Sequence, residues 1–182
     1  MKLATLLAGG TAAAIATAAF AANPMVGGAP MYADRTIVEN AVNSEDHKTL
    51  VAAVKAAGLV ETLNSEGPFT VFAPVDSAFA KLPEGTVETL LKPENKDMLQ
   101  KVLTAHVVAG DWSAGAIRSQ ALNSPDNFYH FEAVSGDALS AQVKGGALYI
   151  YDESGQAGRI TISDVDQSNG VIHVIDTVLV PE

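Results

Sequence analysis

Apolar residues return at helical spacing along residues 36–42 and 46–57, with Leu50, Val51 and Val54 on one face of the second stretch and Gly58 as its stop signal. Phe69-Thr70-Val71-Phe72-Ala73-Pro74 is aromatic and β-branched and halts at a proline, which predicts a buried strand. Asp76 is placed to cap a short helix carrying Ala78, Phe79 and Leu82. Residues 86–91 and 94–105 again read as helices, the latter with Met98, Leu99, Val102 and Leu103 on one face that His106 extends. After Val108 the period changes to two. Leu139, Ala141 and Val143 alternate with Ser140, Gln142 and Lys144, and Gly145-Gly146 turns the chain into residues 147–151, a hairpin signal. Residues 159–165 predict a further strand. Residues 171–180 are apolar on both faces except at His173, Asp176 and Thr177, so the last strand is expected to be central. Helices gather in the first half and strands in the second, which points to an α+β layering rather than a βαβ alternation.

Met1-Lys2 followed by an uncharged apolar stretch to Ala22 has the layout of a secretory signal peptide, with the small residues Ala19 and Ala21 flanking Phe20 at the expected cleavage site. The expected organisation is a signal peptide over 1–21, a flexible leader over 22–33 containing Gly27-Gly28 and two prolines, and one folded domain over 34–182. Retention of the stretch as a membrane anchor is the alternative to cleavage; the chain is expected to be exported, to the periplasm or to the extracellular space or cell surface. The 182 residues carry a net charge of −10 and no cysteine. Stability must therefore come from packing alone, without disulfides. The acidic balance lacks the clustered Lys and Arg that phosphate binding needs, which argues against nucleic acid.

Three stretches stand together: Gly67-Pro68-Phe69-Thr70-Val71-Phe72-Ala73-Pro74-Val75-Asp76-Ser77-Ala78-Phe79, then His106-Val107-Val108, then Asn169-Gly170-Val171-Ile172-His173-Val174-Ile175-Asp176. In this order and at these separations they resemble a fasciclin-like domain, from about Thr36 to Pro181. The resemblance implies a β-sandwich or wedge flanked by a helical layer, no enzymatic activity, and adhesion or contact with a cell-surface, matrix or biofilm component, protein or polysaccharide. Its structural positions here are Phe69, Thr70, Phe72, Pro74, Asp76, Phe79, His106, Asn169, Gly170 and His173. The family's adhesive short motif, an Asp and an aliphatic residue before the last Asn-Gly, is matched by Asp164-Val165. The plainer reading makes Val165 core and Asp164 a turn cap. Ala105 stands where the family often has Tyr, which leaves the adhesive role attributed to that Tyr-His region without its tyrosine.

His106 and His173 are the residues able to act as base or ligand, yet each lies in an apolar run, where an imidazole satisfied by a backbone or carboxylate partner is the commoner outcome. His106 is expected to hydrogen-bond near Asp76. Asp164, Asp166 and Ser168 suggest a calcium loop, but the sixth position is not Gly and the twelfth is Ile175. His130-Phe131-Glu132 begins a zinc deaminase signature whose remaining ligands would be cysteines. Asp152-Glu153 is an adjacent loop pair, whereas glycoside hydrolysis needs two carboxylates roughly 5–10 Å apart across a cleft, a geometry that sequence leaves open. No nucleophile elbow, metalloprotease helix or nucleotide loop is present. The expectation is a binding module with no cofactor and no metal. The rival is a periplasmic carrier enclosing a small apolar ligand between helices and sheet, for which several hundred Å³ of apolar pocket are required.

Overall fold

The computed structural model describes residues 23–181; the expected signal peptide lies outside them. The chain begins with a small hairpin of β1 (Met25–Val26) and β2 (Ala29–Pro30). Helices α1 (Ile37–Ala41), α2 (Lys48–Ala57) and α3 (Val60–Leu63) follow. Strand β3 (Phe69–Pro74) leads into α4 (Asp76–Phe79), α5 (Thr86–Leu90) and α6 (Lys96–Thr104). Then come β4 (Val107–Ala109), α7 (Ala114–Asn123), β5 (Phe128–Glu132), β6 (Ala138–Lys144), β7 (Ala147–Tyr151), β8 (Ala157–Gln167) and β9 (Gly170–Ile175).

The large sheet runs β4-β3-β9-β8-β7-β6-β5. Its centre is the parallel pair β3/β9, in register from Phe69 opposite Gly170 to Pro74 opposite Ile175. Strand β8 is shared between two halves of the sheet. Its first residues pair with β7, the rest with β9, and register shifts between Ile160 and Val165 bend it between them. The sheet folds over on itself as a wedge, and the Val134 N–H donates to the Val107 carbonyl where the β5 end returns to β4.

Alternation along β3 and β9 divides the core. Val71, Ala73, Ile172 and Val174 face the helices, where Leu50, Val54, Leu99, Val102 and Leu103 meet them. Phe72 and Ile175 face the interior of the wedge with Leu139, Ala141, Leu148, Ile150 and Ile117. The layering is α+β as expected, with three corrections. Residues 23–33 are not a loose leader: both glycines of the β1/β2 turn have positive φ, as a tight hairpin turn requires, and Val26, Ala29 and Met31 are buried. Met98 leaves the apolar face of α6 and is 60% exposed. Helix α7 was not expected. Its buried residues are Ala114, Ile117 and Ala121, too small a set to announce an apolar stripe.

Asn169 sets the start of the central pair. Its Oδ1 accepts from Ile37 N at 3.0 Å, and its Nδ2 donates to the Leu63 carbonyl at 2.7 Å and the Ser65 carbonyl at 3.1 Å. Gly170 follows at φ 151°, where an added Cβ would lie 1.9 Å from the Phe69 carbonyl oxygen, so no side chain fits. Asn169→Ala is expected to lower unfolding free energy by about 2–4 kcal/mol, because one buried N–H and two carbonyls lose their partner together. Asn169→Asp, which keeps the acceptor and loses the donors, should rescue little. Urea titration at neutral pH checks both, and a fully stable Asp variant would mean that the acceptor alone matters.

Candidate functional site

At the bend of β8, Asp164 adopts φ 56°, a left-handed conformation that Asp tolerates better than most residues. Its exposed carboxylate turns back, and Oδ1 accepts from Ala114 N at 2.7 Å, at the first residue of α7. Ser113 caps the same end by accepting from Ala116 N. Asp164 is thus a helix cap reaching across from another element, close to the plainer of the two sequence readings. Val165 beside it has no exposed surface and packs in the core under the helices. It offers nothing to a partner, which corrects its place in the expected motif.

The backbone N–H of Asp164 donates to His173 Nδ1 at 3.2 Å, and His173 Nε2 lies 2.8 Å from the Trp112 carbonyl. A carbonyl can only accept, so Nε2 carries the proton and the ring is neutral. Burial pulls its pKa below the ordinary histidine value, against the Trp112 carbonyl, which raises it. The ring stacks 5.8 Å from Phe72.

His106 is held the other way round. Nδ1–H donates to the Val102 carbonyl and Nε2 accepts from Leu179 N, each at 2.8 Å. Burial lowers its pKa to about 4. The expected tie between His106 and Asp76 is not formed. Asp76 instead accepts from Thr49 N at 2.8 Å, capping α2 rather than its own helix. His106 and His173 therefore have both nitrogens engaged by backbone, and neither presents a free base.

Of the other motif residues, Thr70 is buried, its hydroxyl donating to the Gly110 carbonyl and accepting from Trp112 N. Phe69, Phe72 and Phe79 pack in the two cores, and Pro74 ends β3. Asp152 is a loop staple, accepting from Ser154 Oγ, Gln156 N and Val180 N. Among the described residues no cluster of His, Asp and Glu is arranged to hold a metal ion.

Among the concave places on the described residues, three bear on function. An apolar crevice between the helices and β3 has a volume of about 60 Å³. An open polar groove of about 520 Å³ is lined by Glu66, Asp111, Asp166, Ser168 and Asn169. Another of about 390 Å³ is lined by Arg118, Arg159, Thr161, Ser163 and the Gly145-Gly146 turn. The segment from Asp111 to Ala114 and the bend of β8 lie between the two open grooves, since each contributes lining residues to both. Sequence reasoning missed the arginines, which are remote from one another in the chain. The signal for α7 itself was Ser113 ahead of Ala114 and Ile117.

A family model, the fasciclin domain, matches residues 45–181. The chain is 51% identical to protein sll1483 of Synechocystis sp. over 146 residues, 80% of this chain and 73% of that protein. It is 42% identical to the uncharacterized protein sll1735 of the same organism over 144 residues, covering 79% of this chain and 96% of the relative. Its fold is similar to a solved FAS1 domain pair from the insect cell adhesion molecule fasciclin I, with a TM-score of 0.70 and 19% identity over 80% of this chain. The chain spans 50% of that domain pair. The resemblance read from the three motifs, and the fold expected with it, are borne out.

The histidines make stability depend on acid. Unfolded His106 titrates near the ordinary histidine value of 6.5 and folded His106 at about 4, so the unfolded chain binds the proton first. Stability is whole above pH 6.5, declines as pH falls toward about 4, and loses about 3 kcal/mol across that window. His47 and His173, lowered by burial too, add in the same direction. Urea midpoints measured from pH 7 to pH 4 should fall less steeply in His106→Gln than in the parent, and equal slopes would remove His106 as the cause.

Proposed function

The chain belongs to the fasciclin domain family, and from that premise we propose that it is an exported, non-enzymatic binding module for a cell-surface, matrix or biofilm component. The observation that carries this reading is the bent end of β8, where an exposed carboxylate at positive φ is held rigidly between two open polar grooves. Recognition residues placed on short loops over a fixed scaffold are a common arrangement for binding. The insect relative of the same fold is a cell adhesion molecule, and that role is extended to this chain here. The saturation of His106 and His173 by backbone partners supports the non-enzymatic reading, because a general base needs a free nitrogen within reach of substrate. The apolar stretch from Leu3 to Ala22 supports export. The carrier reading has less support: the apolar crevice holds about 60 Å³, whereas pockets that bury a ligand enclose roughly 300–1,000 Å³.

Retention of the full-length chain on the envelope fraction and extracellular polymer of the producing organism tests the reading. Asp164→Asn keeps a cap acceptor and a side chain suited to positive φ while removing the charge. It should bind less at unchanged melting temperature. Asp164→Ala should also lose about 1–3 kcal/mol of stability through the missing cap and the strained backbone. If the parent is not retained and native mass spectrometry finds a bound apolar molecule, the carrier reading replaces this one.

A further inference from the structure

Past Lys101 the chain has three cations, Arg118, Lys144 and Arg159, set among many more carboxylates. The fold gathers them. Arg118 on α7 and Arg159 on β8 line the groove of about 390 Å³, and Lys144 ends β6 just before the Gly145-Gly146 turn that forms its rim. No carboxylate is among the lining residues. Two acids adjoin the groove without lining it, and both are turned to neutral donors: Asp164 accepts from Ala114 N, and Asp176 accepts from Arg159 N and the Thr177 hydroxyl. Arg118 Nη1 donates to the Gly146 carbonyl at 2.9 Å, a neutral acceptor that holds the guanidinium in place without cancelling its charge. Neither arginine forms an ion pair among the described residues. On a chain of net charge −10, such a groove is a local field that favours an anion.

Arg159 also joins the groove to the outward face of the sheet. In the register Arg159 lies opposite Tyr149, Tyr149 opposite Gln142, and Gln142 opposite Phe128. Leu148 and Ile150 are buried, so Tyr149 and Tyr151 take the other face, where both remain partly exposed. The Tyr151 hydroxyl donates to Gln142 Oε1 at 3.1 Å, fixing an amide between rings. The row therefore offers a cation, an aromatic face, an amide and a second aromatic face across four neighbouring strands. Aromatic faces take the apolar side of a sugar ring, amides take hydroxyls, and a guanidinium takes a carboxylate through two parallel bonds.

We propose that the Arg118/Arg159 groove and the Tyr149 row beside it bind a carboxylate-bearing polysaccharide, with the guanidinium groups on its carboxylates and a sugar ring over Tyr149. This rests on the binding-module reading and names its partner class. A polysaccharide suits the place better than an acidic peptide because Arg159 and Tyr149 lie on β8 and β7, interior strands with their backbone already paired, and the sheet edge at β5 is three strands away from Arg159.

Calorimetric titration of the full-length chain with polygalacturonate, neutral dextran and poly-L-glutamate, at low and high salt, tests the proposal. Polygalacturonate should bind, and more weakly as salt rises. The Arg118→Gln/Arg159→Gln double variant should bind about tenfold less tightly with a shallower salt dependence. Tyr149→Ala should lose affinity with the salt dependence unchanged, and circular dichroism should find all variants folded. Equal binding by parent and arginine variant, or equal affinity for dextran or poly-L-glutamate, overturns the proposal. Retention on the envelope fraction would still stand in that case, so the two readings fail separately.

Discussion

The parallel pairing of β3 with β9 is the contact on which everything else is hung. Its two strands sit between the helical layer and the wedge interior, and each sends alternate side chains into both cores. Parallel strands need a crossover, and here the crossover is most of the chain, from α4 through β8. The pair can be joined only after that long segment has been arranged, an entropic demand that goes with slow folding. Asn169 and Gly170 answer it structurally. The first binds the ends of α1 and α3, the second lets β9 approach the Phe69 backbone, and together they admit a single register.

Without cysteine, the domain is fastened by side chains that bond to groups on other elements. Asp76 holds the start of α2, His106 holds the segment after β9, His173 and Asp164 hold the approach to α7, and Asn40 binds Tyr32 and Gln167. Each such bond contributes only about 0.5–1.5 kcal/mol net, but leaving its buried partner unsatisfied costs more than making it gains. These staples therefore specify one arrangement more than they add stability. The same logic accounts for the two histidines. Rings that serve as neutral connectors must stay neutral, and burial ensures it by pulling their pKa values down.

The motifs were legible because they are this central frame: long apolar strands ending in turn residues are dictated by burial on both faces, and β3, β9 and the β6/β7 hairpin lie where the pattern places them. Local pattern was ambiguous where glycine was concerned. Gly145-Gly146 reads as a hairpin turn because alternating residues flank it, while Gly27-Gly28 has only short flanks, so the same dipeptide read as looseness although it makes the same kind of turn. Helix α7 buries mainly alanines, and a helix that packs closely through small residues leaves a faint apolar signal. The short motif at Asp164 was half legible. Two residues sufficed to place it, but not to tell that a bend would bury Val165 and aim Asp164 at another element's helix.

The grooves could not be read from sequence at all, because they exist only where the bend of β8 meets the loop before α7. That meeting gives the end of the wedge a division of charge. Glu66, Asp111 and Asp166 line one groove, Arg118 and Arg159 the other, and the wall between them is the segment from Trp112 to Ala114. The wall is fixed from outside by bonds from His173 to the Trp112 carbonyl, from Trp112 N to the Thr70 hydroxyl and from Ala114 N to Asp164. A ligand entering either groove thus meets a surface already ordered by the core, and it need not supply the entropy of ordering a loop. The proposed recognition surface is set by the same strands that hold the fold, so binding there calls for little movement. Rigid presentation of opposite charges side by side suits an extended polymer or matrix surface better than a small molecule that must be enclosed.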